Sequence, residues 1–175
     1  MKSISKEEAE KYFRDKKKLV HVDDRVFDSI ENGNNFYLFE MDDEATFMSL
    51  IWQEVDDSRI LTPSGKSRTL GDIVKRMRNH GYGFSDLSSE PKKYQDEYNP
   101  SWFNTCRKID EEFDFNKFVW LVLVLPNESE KKQSPDGTFY IHDGVHRSLV
   151  LAKKLFYGET KYQKIKVLLI IPRPN

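Results

Sequence analysis

The sequence has a single cysteine, Cys106, among 175 residues. It offers no internal disulfide and no thiolate pair for a zinc motif. Charge of one sign is also lacking: the formal net charge is −1 at pH 7. Strong non-specific nucleic-acid binding usually rides on an overall basic chain, so any such contact here needs a local patch. The longest apolar run, "FVWLVLVLP" from Phe118, is far too short to span a bilayer. The opening "MKSISKEEAEKYF" has no apolar stretch of the signal-peptide kind. No internal repeat and no Gly-rich phosphate loop is visible. These absences together lead us to expect a soluble, cytoplasmic protein of a reducing compartment, with no membrane partner.

What is present suits one heavily solvated domain. Charged residues make up 33% and apolar residues 38% of the chain, and the length allows a real core. "ISKEEAEKYFRDKKK" at 4–18 reads as a polar helix. Ser5 and Glu8 form its capping box, and the Lys run suits its C-terminal end. "NGNN" at 32–35 is a turn, and "FYLFEM" is a strand. "DDEATFMSLIWQEV" then reads as a helix, with Phe47, Leu50, Ile51 and Val55 on one stripe. "RILTPSG" is a brief apolar run stopped by a turn. "TLGDIVKRMRNHGYG" is a helix ended by Gly81, burying Leu70, Ile73, Val74 and Met77.

From Phe84 the pattern weakens. Two prolines, many charges and scattered aromatics mark residues 84–117 as an insertion with short helices, packed by Tyr94, Trp102 and Phe103. Such an insert serves as a partner surface or as plain surface decoration. The last third is clearer. "KFVWLVLVLP" is a buried strand of continuous apolar type. "NESEKKQSPDGT" is an exposed loop with a "PDG" turn. "TFYIH" is a strand, "GVHRSLVLAKKLFYG" a helix stopped at Gly158, and "KIKVLLIIP" a closing strand. This order indicates an α+β sheet layered against helices.

The chemistry concentrates in "DGVHR", residues 143–147. Asp143 is a favoured N-cap where strand gives way to helix. Gly144 lets the backbone turn sharply or approach a ligand. His146 and Arg147 then fall in the first helical turn, where the dipole disfavours cations by up to about 1 kcal/mol. An anion shared by the first-turn amides, His146 and Arg147 would resolve that conflict. The alternative reading needs no ligand: Asp143 caps the helix and Arg147 pairs with a nearby carboxylate. Spacing alone does not choose between the two.

"YIHDGVHRSLVLAKKL", flanked by "FVWLVLVLP" and "KIKVLLIIP", resembles the core of the ParB/sulfiredoxin-like superfamily. "ILTPSGKSRTLGDIVKRMRNHG" resembles that family's earlier box and puts its arginine at Arg68. The resemblance spans roughly 59–81 and 118–171. It implies a mixed sheet with packed helices: an N-terminal extension at 1–55 and a domain at 56–175 interrupted at 84–117. It further implies a phosphate site in which Gly144, Val145, Arg68, Lys66 and Ser67 hold the anion. Asp143, His146 and Arg147 would act on it. Asp143 would orient a water or hold Mg2+. ATP or another nucleotide is the implied cofactor, and DNA a further partner. The implied activity is an ATPase or nuclease of a plasmid or mobile element, acting in DNA transfer or defence.

The departures separate the branches of that group. Partition proteins carry Glu-Arg-Arg where this chain has Val145-His146-Arg147, which weakens their nucleotide-gated clamp. Sulfiredoxins need a cysteine where Val145 stands. Free-serine kinases carry Asp-Gly-His-His-Arg, one residue away, so a small-molecule kinase is the first rival reading. A non-catalytic effector binding a protein partner through 84–117 is the second. "SGKS" at 64–67 looks like the tail of a P-loop, yet Ile60 stands where that motif needs glycine. "MDDEAT", "EVDDS" and "KIDEEFD" are acidic clusters with the composition of metal ligands or of solvated helix ends. Arg14 with Lys16 to Lys18 is a small basic patch of the same two-sided kind.

Overall fold

The computed structural model describes residues 1–17, 34–52, 61–84, 100–115 and 121–172, with the backbone alone at 16, 17 and 100–102. Five strands form one mixed sheet: β1 (Lys2–Ile4), β2 (Asn35–Met41), β3 (Leu121–Val124), β4 (Tyr140–Asp143) and β5 (Ile165–Ile171), in the order β1-β2-β5-β3-β4. Only the β3–β5 pairing is parallel; the others are antiparallel. The described helices are α1 (Lys6–Lys17), α2 (Glu44–Met48), α3 (Leu70–His80), α4 (Pro100–Glu111), α5 (Glu128–Gln133) and α6 (Val145–Phe156).

The apolar runs of β3 and β5 follow from burial on both faces. Side chains alternate across a strand, so Val167 and Leu169 enter the main core while Leu168 and Ile170 enter a second cluster. Leu121 and Leu123 likewise oppose Val122. The second cluster is closed by Ile4, Ala9, Phe13 and Phe36, so α1 covers the far face of the sheet. The reciprocal bonds Ser5 N to Glu8 Oε2 (3.0 Å) and Glu8 N to Ser5 Oγ (3.2 Å) confirm the capping box of α1. The N-terminal segment is therefore part of the sheet: β2 pairs with β5 over the seven residues Asn35–Met41.

Helix α3 follows the sequence closely. Thr69 caps it by accepting from Asp72 N, Gly81 ends it at φ 69°, and Leu70, Ile73, Val74 and Met77 are its buried face. The positive φ is one that glycine adopts without the Cβ clash other residues meet.

Three expectations need correction. The helix read over 42–55 stops at Met48, because the backbone after Ser49 finds partners across the molecule. Ile51 N donates to Phe139 O at 2.7 Å, Ile141 N to Ile51 O at 2.9 Å, and Trp52 N to Arg68 O at 2.9 Å. Ile51 thus bridges Tyr140 on one side and Thr69 on the other, extending the sheet past β4. A side-chain stripe does not report such a ladder; Val55 lies outside the described residues. Second, the loop expected at 127–138 contains α5, closed by a capping box between Asn127 and Glu130. An N-x-x-E signal was present and outweighed by the polar composition. Third, of the two readings of the 84–117 insertion plain decoration fails, while the packing expected of Phe103 is present. Phe103 and Cys106 of α4 are fully buried in the main core. Tyr94 and the Trp102 side chain lie outside the described residues, as do residues 32 and 33 of the expected turn.

Helix α4 is also pinned to α6 by charge. Asp110 accepts from Lys153 at 2.8 Å and faces Lys154 at 3.0 Å, and Glu159 faces Lys154 at 3.2 Å. Burial works to lower the Lys154 pKa, and the hydrogen bonds and charges of Asp110 and Glu159 outweigh it, raising the value. Among the described residues no helix is long and apolar enough to cross a membrane.

Candidate phosphate-binding turn

Strand β4 delivers Asp143 to the end of its register, opposite Val122 of β3. The chain then turns through Gly144 at φ 95°, a left-handed conformation that a side chain at this position would strain. Gly144, and not Asp143, is the N-cap of α6, and no side-chain cap bond closes that helix. This corrects the capping role read for Asp143. A strand-bound carboxylate aligned with β4 faces across the turn instead, towards the next helical turn.

There it meets Arg147. Arg147 Nη2 stands 3.7 Å from Asp143 Oδ2, with the two side chains 13% and 10% exposed. The separation makes this an ion pair longer than a charge-assisted hydrogen bond. Burial lowers the Arg147 pKa from its ordinary value, and the Asp143 charge opposes that shift. His146 is half-buried beside it, while Val145 is buried in the main core. His142 is half-buried on β4, one residue from the buried Asp143, in keeping with the alternation of strand faces.

The earlier box is brought to the same end of the sheet. Arg68 is 4% exposed. Its carbonyl accepts from Trp52 N, and its amide donates to Ser134 Oγ at 2.8 Å. Trp52 in turn donates through Nε1 to Val145 O at 3.3 Å. Two hydrogen-bonded steps therefore join Arg68 to the first turn of α6. Trp52 and Ser134 were not read as site residues: an isolated Trp in an apolar stretch and a Ser in a polar loop carry no spacing signal. Ser148, whose Oγ and N both bond to Gly144 O at 2.8 Å, is a third buried contributor to the turn.

Lys66 and Ser67 fare differently from Arg68. "PSGK" is a β-turn: Lys66 N donates to Pro63 O at 3.1 Å, with Gly65 at φ 73°. The Lys66 side chain is exposed, and its carbonyl accepts from Gln133 Nε2 at 3.0 Å. Ser67 is engaged within the protein. Its hydroxyl donates to Asp72 Oδ2 at 2.6 Å and accepts from Thr69 N at 3.4 Å, which occupies it in capping α3. Arg76 closes the same turn, donating from Nη2 to Ser67 O at 2.6 Å and from Nε to Leu61 O at 2.7 Å.

This cap has a pH signature. Burial works to raise the Asp72 pKa, but bonds from Ser67 and Thr69 and the charges of Lys75 and Arg76 bring it below its ordinary 3.8. A carboxyl with a depressed folded pKa stabilises fully above its unfolded value, and that contribution is lost as pH falls through the folded value. Stability measured by urea melts is expected to decline below about pH 4, with a shallower decline in Asp72→Asn.

The remaining polar clusters have internal roles. Asp43 of "MDDEAT" caps α2, accepting from Thr46 N at 2.7 Å. Asp110 of "KIDEEFD" pairs with Lys153 and Lys154. Arg14 faces Glu10 at 3.6 Å; Lys18, His21 and "EVDDS" lie outside the described residues, as do the Lys16 and Lys17 side chains. His80 stacks on Tyr82. Among the described residues no group of three or more His, Cys, Asp or Glu is placed to hold a metal ion. Comparison with protein-family models, with curated proteins and with solved structures returns no match.

Proposed function

We propose that this chain is a phosphate-binding protein of ParB/sulfiredoxin-like type, which hydrolyses ATP or a DNA phosphodiester at the mouth of α6. One observation carries the reading: a helix capped by a glycine alone, with Arg147 and His146 in its first turn. Amides and dipole favour an anion there, and so do the two side chains. The strand–turn–helix–strand order of β4, α6 and β5, with Arg68 tied to the same turn, agrees with the family resemblance.

In this reading a phosphate of a nucleotide or of DNA sits on the first-turn amides. Arg147 exchanges a carboxylate 3.7 Å away for phosphate oxygens that match its fork, and neutralises charge during transfer. His146 positions or protonates the departing oxygen. Asp143 orients Arg147, whose guanidinium faces it, and would also be the carboxylate of this turn to hold Mg2+ beside a phosphate. An ATP-loaded protein acting for a plasmid or mobile element is the setting this implies.

One observation favours a second reading. Arg147 is paired inside the protein, which suits a non-catalytic effector that works through a protein partner and hydrolyses nothing. A single assay separates these readings and the small-molecule kinase. The protein is incubated with ATP, Mg2+, linear and supercoiled DNA, and free amino acids. Phosphate release or DNA nicking, reduced about 100-fold or more in Arg147→Lys, supports hydrolysis. The Lys variant keeps a positive charge opposite Asp143 and removes the two-point grip. Phosphorylated amino acid supports the kinase. No turnover in the parent protein supports the effector.

A further inference from the structure

Between the Arg68 backbone and the first turn of α6 lies a short, buried chain of hydrogen bonds. Trp52 and Ser134 are both 0% exposed. Trp52 Nε1 donates to Val145 O at 3.3 Å, and Trp52 N donates to Arg68 O at 2.9 Å. From the other side Ser134 Oγ accepts from Arg68 N at 2.8 Å. The Arg68 residue is thus held at both its amide and its carbonyl, by two residues far apart in sequence.

We propose that Trp52 is a positioning residue: its ring N–H and its backbone together set where Arg68 stands relative to an anion at the mouth of α6. This rests on the phosphate-binding reading above. The physical argument turns on the indole N–H. Filling a core position needs only volume, which a phenyl or aliphatic side chain supplies. An indole adds a donor that must find an acceptor in the interior. Here the acceptor is the first-turn carbonyl of the helix whose N-terminus forms the site. The same residue's amide binds the carbonyl of the residue that would clamp from the facing turn. One rigid side chain and its own backbone therefore span the two halves of the site.

Fixing the Arg68 peptide also fixes the direction in which its side chain leaves the backbone. A buried cation with several rotatable bonds gains most from that restraint, because a small misplacement of a charged group weakens its grip on a fixed anion. Ser134 completes the restraint from the segment after α5. The backbone bond belongs to a short ladder, in which Leu70 N also donates to Leu50 O at 2.9 Å, and the indole N–H alone extends that ladder to α6.

The test uses the full chain and inorganic pyrophosphate as the probe, by titration calorimetry, with thermal melts to report folding. Trp52→Phe keeps an aromatic ring and removes the N–H. The expected result is about ten-fold weaker binding in a folded protein. In an Arg68→Gln background, adding Trp52→Phe is expected to cause no further loss. That coupling is a readout that a merely structural tryptophan would not give. Unchanged affinity in folded Trp52→Phe, or a full additive loss in the Arg68→Gln background, overturns the proposal. If Trp52→Phe does not fold, Ser134→Ala releases the same peptide from the other side. A ten-fold loss there supports the proposal, and unchanged affinity overturns it. No pyrophosphate binding by the parent protein overturns the phosphate-binding reading and this inference with it. Binding by the parent that Trp52→Phe leaves intact overturns this inference alone.

Discussion

Asp143→Asn is expected to destabilise the protein by about 3 kcal/mol, lowering the melting temperature by roughly 6–12 °C for a chain of this size. Arg147 and Asp143 are 13% and 10% exposed in their side chains. Removing the acid takes an opposing charge away from a guanidinium in a largely desolvated position. The cost lies in the buried charge left less well neutralised and not in the lost pair itself. Asp143→Asn combined with Arg147→Met is therefore expected to recover most of the loss, since the buried charge left behind by the single change is removed as well. Thermal melts of the three variants check this. The same variant also bears on function. Pyrophosphate is expected to raise the melting temperature of Asp143→Asn more than that of the parent, because the added anion takes the place of the missing carboxylate. A ligand-independent melting temperature in Asp143→Asn would count against an anion site at this helix.

The second large effect concerns the insertion. Phe103→Ala is expected to cost about 4 kcal/mol, read as a reduced urea midpoint. Phe103 has no exposed surface and sits in the main core with Leu149, Val150 and Ala152 of α6. Truncation opens a cavity that a helix pinned by Asp110 to Lys153 and Lys154 closes poorly. An effect below about 1 kcal/mol, the range of exposed substitutions, would mean that α4 rests on the domain and is not built into it. Since α4 packs on the helix that carries the site, the same variant is expected to weaken pyrophosphate binding along with stability.

Helix α3 shows what could be read directly. Its period and its Gly81 stop are local signals, and each appears where the sequence places it. The same holds for the extent of α6 and β5, and for the capping box of α1. Leu50 to Trp52 shows the opposite case. Their apolar stripe continues a helical pattern, yet their backbone is claimed by Phe139, Ile141 and Arg68. Nothing within a short window of sequence announces partners so distant.

The candidate site divides in the same way. Clustering of Asp143, Gly144, His146 and Arg147 was visible, because one strand-to-helix junction holds them all. Which of them capped the helix was not, since that depends on the φ of Gly144 and on the direction in which β4 presents its last carboxylate. The bond from the Ser67 hydroxyl to Asp72 is likewise a tertiary detail that the turn's composition does not announce. The sequence by itself determined the buried face and the Gly81 stop of α3, the capping box of α1, and the collection of charge at residues 143–147, because these depend on residues a few positions apart. Only the tertiary structure decided that Arg147 meets Asp143, that Arg68 is tied to α6 through Trp52, and that the insertion enters the core. Those outcomes depend on which distant backbone and side-chain groups must satisfy one another once water is excluded.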